Sequence, residues 1–257
     1  MNHPSLMTVQ AVSALIEQGR TLALAGEASS LRKLPRGRWI GGTIPYFMSS
    51  AGGVCEREQL FVHDLSDWGS SAEVHSYDVE HLHQVLSDAP EHGVSLIIIP
   101  AESAVHYAYA RNAPNYEDMY IKPIVGWIAG VHLTELGTTV PMVFNGQTGI
   151  ADDNSAAVIH IRLPDYREAV VDIVNLFQPG DGPSFIFPDT GFSATECLID
   201  GKLGNLADYM TQHQCDTRWP LVADYCGASI NVSFKALDAD AHRVDLYAPV
   251  FPGVEYR

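Results

Sequence analysis

The chain has 257 residues, long enough to bury a sizeable core without disulfide or metal staples. It carries 31 acidic against 15 basic residues, a formal net charge of −16, yet charged residues make up only 18% and hydrophobic residues 46%. That composition excludes an acidic disordered tail, and it argues against a general nucleic-acid or anionic-membrane surface, because phosphates demand a basic footprint.

The spacing of Val9, Val12, Leu15 and Ile16 predicts an amphipathic helix over Thr8–Gly19, capped by Thr8 and stopped by Gly19. Thr21–Ala25 reads as a short strand, Leu31–Arg38 as a polar loop, and Trp39–Ile44 as a second strand ahead of the turn Ser49–Gly53. Leu60–Leu65 and Glu73–Tyr77 read as strands of a hairpin. Asp78 caps an expected helix to about Asp88, with Val79, Leu82, Val85 and Leu86 facing inward. Val94–Ile99 is a continuous β-branched run, the pattern of a strand buried on both faces. Glu102–Ala110 is an expected helix, ended by Pro114. Pro141–Phe144 and Ala156–Leu163 read as strands around the turn region 145–154, and Asp165 caps an expected helix to Phe177. Gln178–Pro183 (QPGDGP) is the strongest turn signal. After it come a strand at Phe185–Pro188, a helix at Leu203–His213 and strands at Leu221–Ala223, Ser229–Leu237 and Arg243–Pro249.

About ten strands and five helices give an α/β or α+β class with a mixed sheet and flanking helices. Arg38–Gly53 and Trp219–Phe234 share a rhythm of strand, aromatic residue and small-residue turn. A single unit over 1–257 is expected, with two related halves and a subdomain boundary near 178–183 as its internal division.

No apolar run reaches membrane length, and Met1–Gln10 has neither a basic nor a long apolar leader segment. The four cysteines, Cys55, Cys197, Cys215 and Cys226, form no C-x-x-C pair and read as reduced thiols. The expected compartment is the cytoplasm.

Charge is unevenly placed. Residues 1–60 carry a net +2 and residues 61–257 a net −18. Arg32, Lys33, Arg36 and Arg38 run into Gly41-Gly42-Thr43. Arginine forks suit carboxylates and phosphates, and glycines let backbone N–H groups approach an anion, so the segment reads as an anion-binding loop or as a solvated loop paired to its own acids. Asn145–Gly149 (NGQTG), followed by Asp152-Asp153-Asn154, reads as a turn whose oxygens could face a hard cation, although no EF-hand pattern is present. Gly191-Phe192-Ser193-Ala194-Thr195 begins like a nucleophile elbow but lacks its second glycine. Ser193 with Asp208, Asp224 or Asp238 and His213 or His242 is the triad it would need. Among the eleven histidines, His63 and His75 lie on strands that could bring them together. Tyr107, Tyr109, Tyr116, Tyr120 and Trp127 form an aromatic group suited to a core or a pocket wall.

The order of IGGTIPYFMSSAGG at 40–53, LIIIP at 96–100, VFNGQTG at 143–149, AVIHIRLP at 157–164 and PLVADYCGAS at 220–229 resembles the FIST family of bacterial sensory domains. Ala223-Asp224 stand where that family tends to show paired glycines. The resemblance implies a small-molecule-binding, sensor-like protein without an output domain of its own, more a binder than an enzyme. The expected ligand is anionic, held by Arg32, Arg38, Gly41, Gly42, Thr43, Tyr46, Asn145, Thr148, Asp224, Tyr225 and Cys226. The alternatives are a hydrolase with Ser193 or Cys226 as nucleophile and a homo-oligomeric interaction module. No metal and no cofactor is expected, and no histidine is singled out as a haem ligand. The expected partners are a small molecule and either a second copy or a separate signalling protein, with no nucleic acid and no membrane.

Overall fold

A computed structural model describes residues 5–49, 52–225 and 227–257. The chain divides into two compact units, Met1–Val171 and Asp172–Arg257. The division falls just ahead of the Gln178–Pro183 turn, and the two segments of similar rhythm lie one in each unit.

The first unit runs β1 (Ser5–Met7), α1 (Val9–Glu17), β2 (Leu22–Gly26), α2 (Ala28–Leu31), β3 (Trp39–Thr43), β4 (Tyr46–Ser49) and β5 (Gly52–Cys55). It continues through β6 (Leu60–Asp64), β7 (Ser71–Tyr77), β8 (Gly93–Pro100), α3 (Ala104–Asn112), β9 (Ile124–Ala129), β10 (Val143–Asn145), β11 (Ile150–Asp152) and β12 (Ala156–Arg162). Two sheets form its centre. One has the order β1-β6-β2-β3-β10-β11 and the other β7-β12-β8-β9. Both are mixed: β2 pairs parallel with β3, and β8 parallel with β9, while their other neighbours are antiparallel. The α/β or α+β class with mixed sheets and flanking helices is therefore what the chain adopts.

Alternation along the strands sorts the side chains into layers. Ala23, Ile40 and Val143 of the first sheet meet Leu96, Ile98, Ala157 and Ile159 of the second between the sheets. Val12 and Ile16 of α1 and Leu31 of α2 cover the first sheet through Leu22, Leu24 and Phe144. Leu82, Val85, Leu86 and Val105 cover the far face of the second through Ile97, Ile99 and Val158. The sheets pack tightly at Gly42, where an added Cβ would lie 2.5 Å from Ile98 Cγ2. Val94–Ile99 is indeed buried on both faces within β8.

The second unit runs β13 (Phe185–Ile186), β14 (Gly191–Ala194), β15 (Glu196–Ile199), β16 (Lys202–Asn205), α4 (Leu206–Gln212), β17 (Leu221–Tyr225), β18 (Ala228–Val232), β19 (Phe234–Asp238), β20 (Arg243–Val250) and β21 (Glu255–Tyr256). Its sheets have the orders β16-β15-β13-β21-β17-β18 and β14-β20-β19, around a core that includes Phe187, Leu206, Met210, Leu246 and Tyr256.

Several expectations are corrected. Leu60–Leu65 and Glu73–Tyr77 are strands but not a hairpin, because β6 and β7 belong to different sheets. The helix expected from Asp78 shortens to a 3₁₀ turn at Leu82–Gln84. Gln84 N–H bonds His81 O and Val85 N–H bonds Leu82 O, so i→i+3 bonds bury Leu82, Val85 and Leu86 without a longer helix. The helix expected over Asp165–Phe177 is irregular chain. Its Val170, Val174 and Leu176 are more than 80% exposed, so no apolar stripe is covered. The β-branched run favours helix poorly, and the Asp172 and Asn175 side chains bond nearby backbone N–H groups instead. The residues before α4 form β16 rather than its first turn.

Candidate functional site

The anion-loop residues each have partners in the fold. Arg32 ends α2, where its guanidinium lies 5.7 Å over the Phe144 ring and 3.0 Å from Met142 Sδ. Arg38 donates to Gly19 O at 2.8 Å. Gly41 and Gly42 lie in β3 between β2 and β10, so their amides are committed to the sheet rather than free for an anion. Thr43 is buried and its hydroxyl accepts from Met142 N–H. Tyr46 stacks on His132, and its hydroxyl accepts from Leu133 N–H. Asn145 donates to Ser76 Oγ at 3.0 Å while its Oδ1 accepts from the N–H groups of Gln147 and Thr148. The Thr148 hydroxyl donates to Asn145 O. Thr43, Tyr46, Asn145 and Thr148 spend their side-chain polar atoms on local structure. Asp224 and Tyr225 belong to the second unit. Asp224 accepts from Gly227 N–H, and the Tyr225 hydroxyl meets that of Tyr256 at 2.5 Å. Burial and that contact push the Tyr225 phenol upward. Cys226 lies outside the described residues, as do Ser50 and Ala51 of the expected turn.

The elbow is also absent. Ser193 lies in β14, where it pairs with Asp245, and β15 follows in place of a helix. His242 Nδ1 does meet Asp208 Oδ1 at 2.5 Å, but His242 stands three positions from the partner of Ser193 on β20. Asp152 accepts from Asn154 N–H and Ser155 Oγ–H, and among the described residues no group of acids, histidines and cysteines is arranged to hold a metal ion. His63 sits edge-on to Trp68, and His75 instead approaches His160, with ring centroids 5.2 Å apart. Tyr109 and Tyr116 join the core, whereas Tyr120 is exposed.

The outer face of the second sheet carries a different constellation. Glu73, His75 and Tyr77 alternate on β7, His160 and Arg162 on β12, and Ser95 stands on β8. Register places His160 opposite Glu73 on one side and Ser95 on the other. One half of this face is the apolar core around Ile97 and Val158; the other half is polar.

His160 is 3% exposed and both ring nitrogens have partners. Nδ1 lies 2.8 Å from Ser95 Oγ, Nε2 lies 3.0 Å from Tyr77 Oη, and Tyr77 Oη lies 3.0 Å from Asp88 Oδ2. A carboxylate only accepts, so the Tyr77 hydroxyl donates to Asp88. Having one proton, it then accepts from His160 Nε2–H, which leaves Nδ1 to accept from the Ser95 hydroxyl. The chain of donors thus runs from Ser95 through His160 and Tyr77 to Asp88. Burial pushes the His160 imidazole down to about 4, with the His75 and Lys122 charges helping and Asp88 opposing. It is neutral at pH 7, as the donor order requires. Burial and the Asp88 bond push the Tyr77 phenol up.

Over this floor opens a cavity of about 60 Å³ lined by Ser71, Glu73, Asp88, Pro90, His160 and Arg162. That is room for roughly four to six waters, or for a polar group of similar bulk. Glu73 Oε2 lies 3.5 Å from His75 Nε2. Among the described residues the Arg162 guanidinium has no hydrogen bond or ion pair. The sequence signal was Ser95, the lone polar side chain in VSLIII, and the alternation E-x-H-x-Y at 73–77 beside H-x-R at 160–162.

Fold and site define a mixed-sheet protein of the α/β or α+β class with a polar cleft on one sheet face. A family model described as a family of unknown function, DUF6976, matches residues 7–257, and the chain belongs to that family. No curated protein and no solved structure matches it.

Proposed function

We propose that the chain is a small-molecule-binding, sensor-like protein whose ligand seat is the cleft over His160. The observation that carries this reading is the unpaired Arg162 guanidinium at the mouth of a cavity whose floor is fully hydrogen-bonded. A floor with no proton to spare orients a ligand rather than reacting with it. Arg162 takes the ligand's anionic group, and Glu73 and Asp88 receive a donor or cationic group beside it. Arg162, rather than Arg32 or Arg38, is the arginine that meets the anion. The order of motifs resembling the FIST sensory family supports the sensor part of the reading, in which a separate partner reads the bound state.

The test is a titration of acetate, inorganic phosphate, ethylammonium and taurine, followed by NMR of the histidine rings and arginine side chains. Saturable shifts at His160 and Arg162 are expected with acetate, phosphate or taurine. Arg162→Gln should weaken them about ten- to hundredfold, the usual loss of one charge-assisted bond. If none of the four moves those signals, the reading fails.

A further inference from the structure

We propose that Lys122 is the positioning residue of the cleft, clamping residues 86–91 so that Asp88 stays on the Tyr77 hydroxyl. The proposal rests on the cleft as ligand seat for its functional meaning, and on geometry for its substance. The Lys122 side chain is only 7% exposed. Its ammonium donates to Leu86 O at 3.1 Å and Ala89 O at 3.2 Å, and pairs with Glu91 Oε1 and Asp118 Oδ2, both at 3.0 Å. A buried ammonium persists only when its donors are paired, and here they are.

The placement of these partners gives the clamp its role. The two carbonyls flank Asp88, and Glu91 follows Pro90, so the ammonium grips the cleft wall on both sides of the residues that line it. The backbone of Lys122 reaches the sheet through the residue that follows it. Its N–H bonds Asp118 O, and Ser95 N–H bonds the carbonyl of the next residue, Pro123. Lys122 and Pro123 together therefore span from the strand that carries Ser95 to the turn that carries Asp88. These are the two ends of the Ser95–His160–Tyr77–Asp88 chain. Lys122 and Pro123 close that chain into a ring of contacts, and neither lines the cavity.

Lys122→Met keeps the apolar stem and removes the ammonium. Amide hydrogen exchange should speed at least tenfold at Asp88 and Ala89, whose N–H groups bond Gln84 O and Leu86 O, while β8 and β12 keep their protection. The His160 ring signals should shift as Asp88 leaves Tyr77, and Lys122→Arg should restore part of both effects. Asp118→Asn, a milder variant, should show the same local pattern more weakly. Unchanged exchange at Asp88 and Ala89 with unmoved His160 signals in Lys122→Met would overturn the proposal. So would a loss of protection spread evenly over the first unit in both Lys122→Met and Asp118→Asn. A wild-type cleft that binds none of the four probes would sink the ligand reading, while the exchange and ring signals still judge Lys122.

Discussion

The bond between Ser95 and His160 is directly measurable by a double-mutant cycle. His160→Leu replaces the ring by an apolar side chain in a site that is 3% exposed. Two hydrogen bonds vanish, each worth about 1 kcal/mol net. Tyr77 keeps Asp88, but the Ser95 hydroxyl, in a residue 1% exposed, is left buried without a partner, at about 1–3 kcal/mol more. Burial of the leucine offsets part of this, for a net loss of about 2–4 kcal/mol. Ser95→Ala alone should cost about 1–2 kcal/mol, because it strands Nδ1 of His160. The double variant removes both orphans, so its cost should fall short of the sum by about 1–2 kcal/mol. Urea denaturation followed by tryptophan fluorescence measures this, since Trp39, Trp68 and Trp127 all lie in the first unit. Additivity within about 0.3 kcal/mol would refute the shared bond.

The same histidine sets an acid dependence. Its folded value of about 4 lies below the ordinary 6.5, so the unfolded chain takes up the proton first. Stability is fully present above pH 6.5 and falls as pH drops toward 4, by roughly 3 kcal/mol, with His63 and His106 adding in the same direction. Denaturation midpoints at pH 7.5 and 4.5 should show this loss, and His160→Leu should flatten it; an equal slope in the variant would contradict the assignment. Gly42→Ala forces a methyl against Ile98 and should cost about 1–3 kcal/mol without altering acetate binding at the cleft; a stability-neutral variant that loses anion binding would revive the glycine pair as a ligand loop. Arg38→Ala removes one exposed bond to Gly19 O and should shift stability by less than about 1 kcal/mol, checked by thermal melting, with acetate affinity unchanged.

The elements with strong local signals were legible. Thr8 accepts from Ala11 N–H at the start of α1, and VSLIII became an interior strand. The segments that failed were those where tertiary packing decides. Residues 78–88 bury their apolar side chains through a 3₁₀ turn, and nothing covers a helix at 165–177. Among the candidate residues, charge density and glycine pairing pointed to Arg32–Thr43, yet Arg32 and Arg38 bond within their own neighbourhood and Gly41 and Gly42 pair within the sheet. The cleft joins residues that are far apart in sequence, such as Tyr77 and His160, and only the register of β7 with β12 brings them together. No local motif encodes that register. The lone polar residue in an apolar run was the faint mark it left.

The donor order in the buried chain has a sense of direction. Each proton points toward Asp88, so that one acceptor fixes how the other protons are placed. Asp88 touches neither the ring nor Ser95, yet through Tyr77 it settles which nitrogen of His160 carries the proton. An exposed carboxylate thereby dictates the tautomer of a buried ring and the turn of a hydroxyl on a strand buried on both faces.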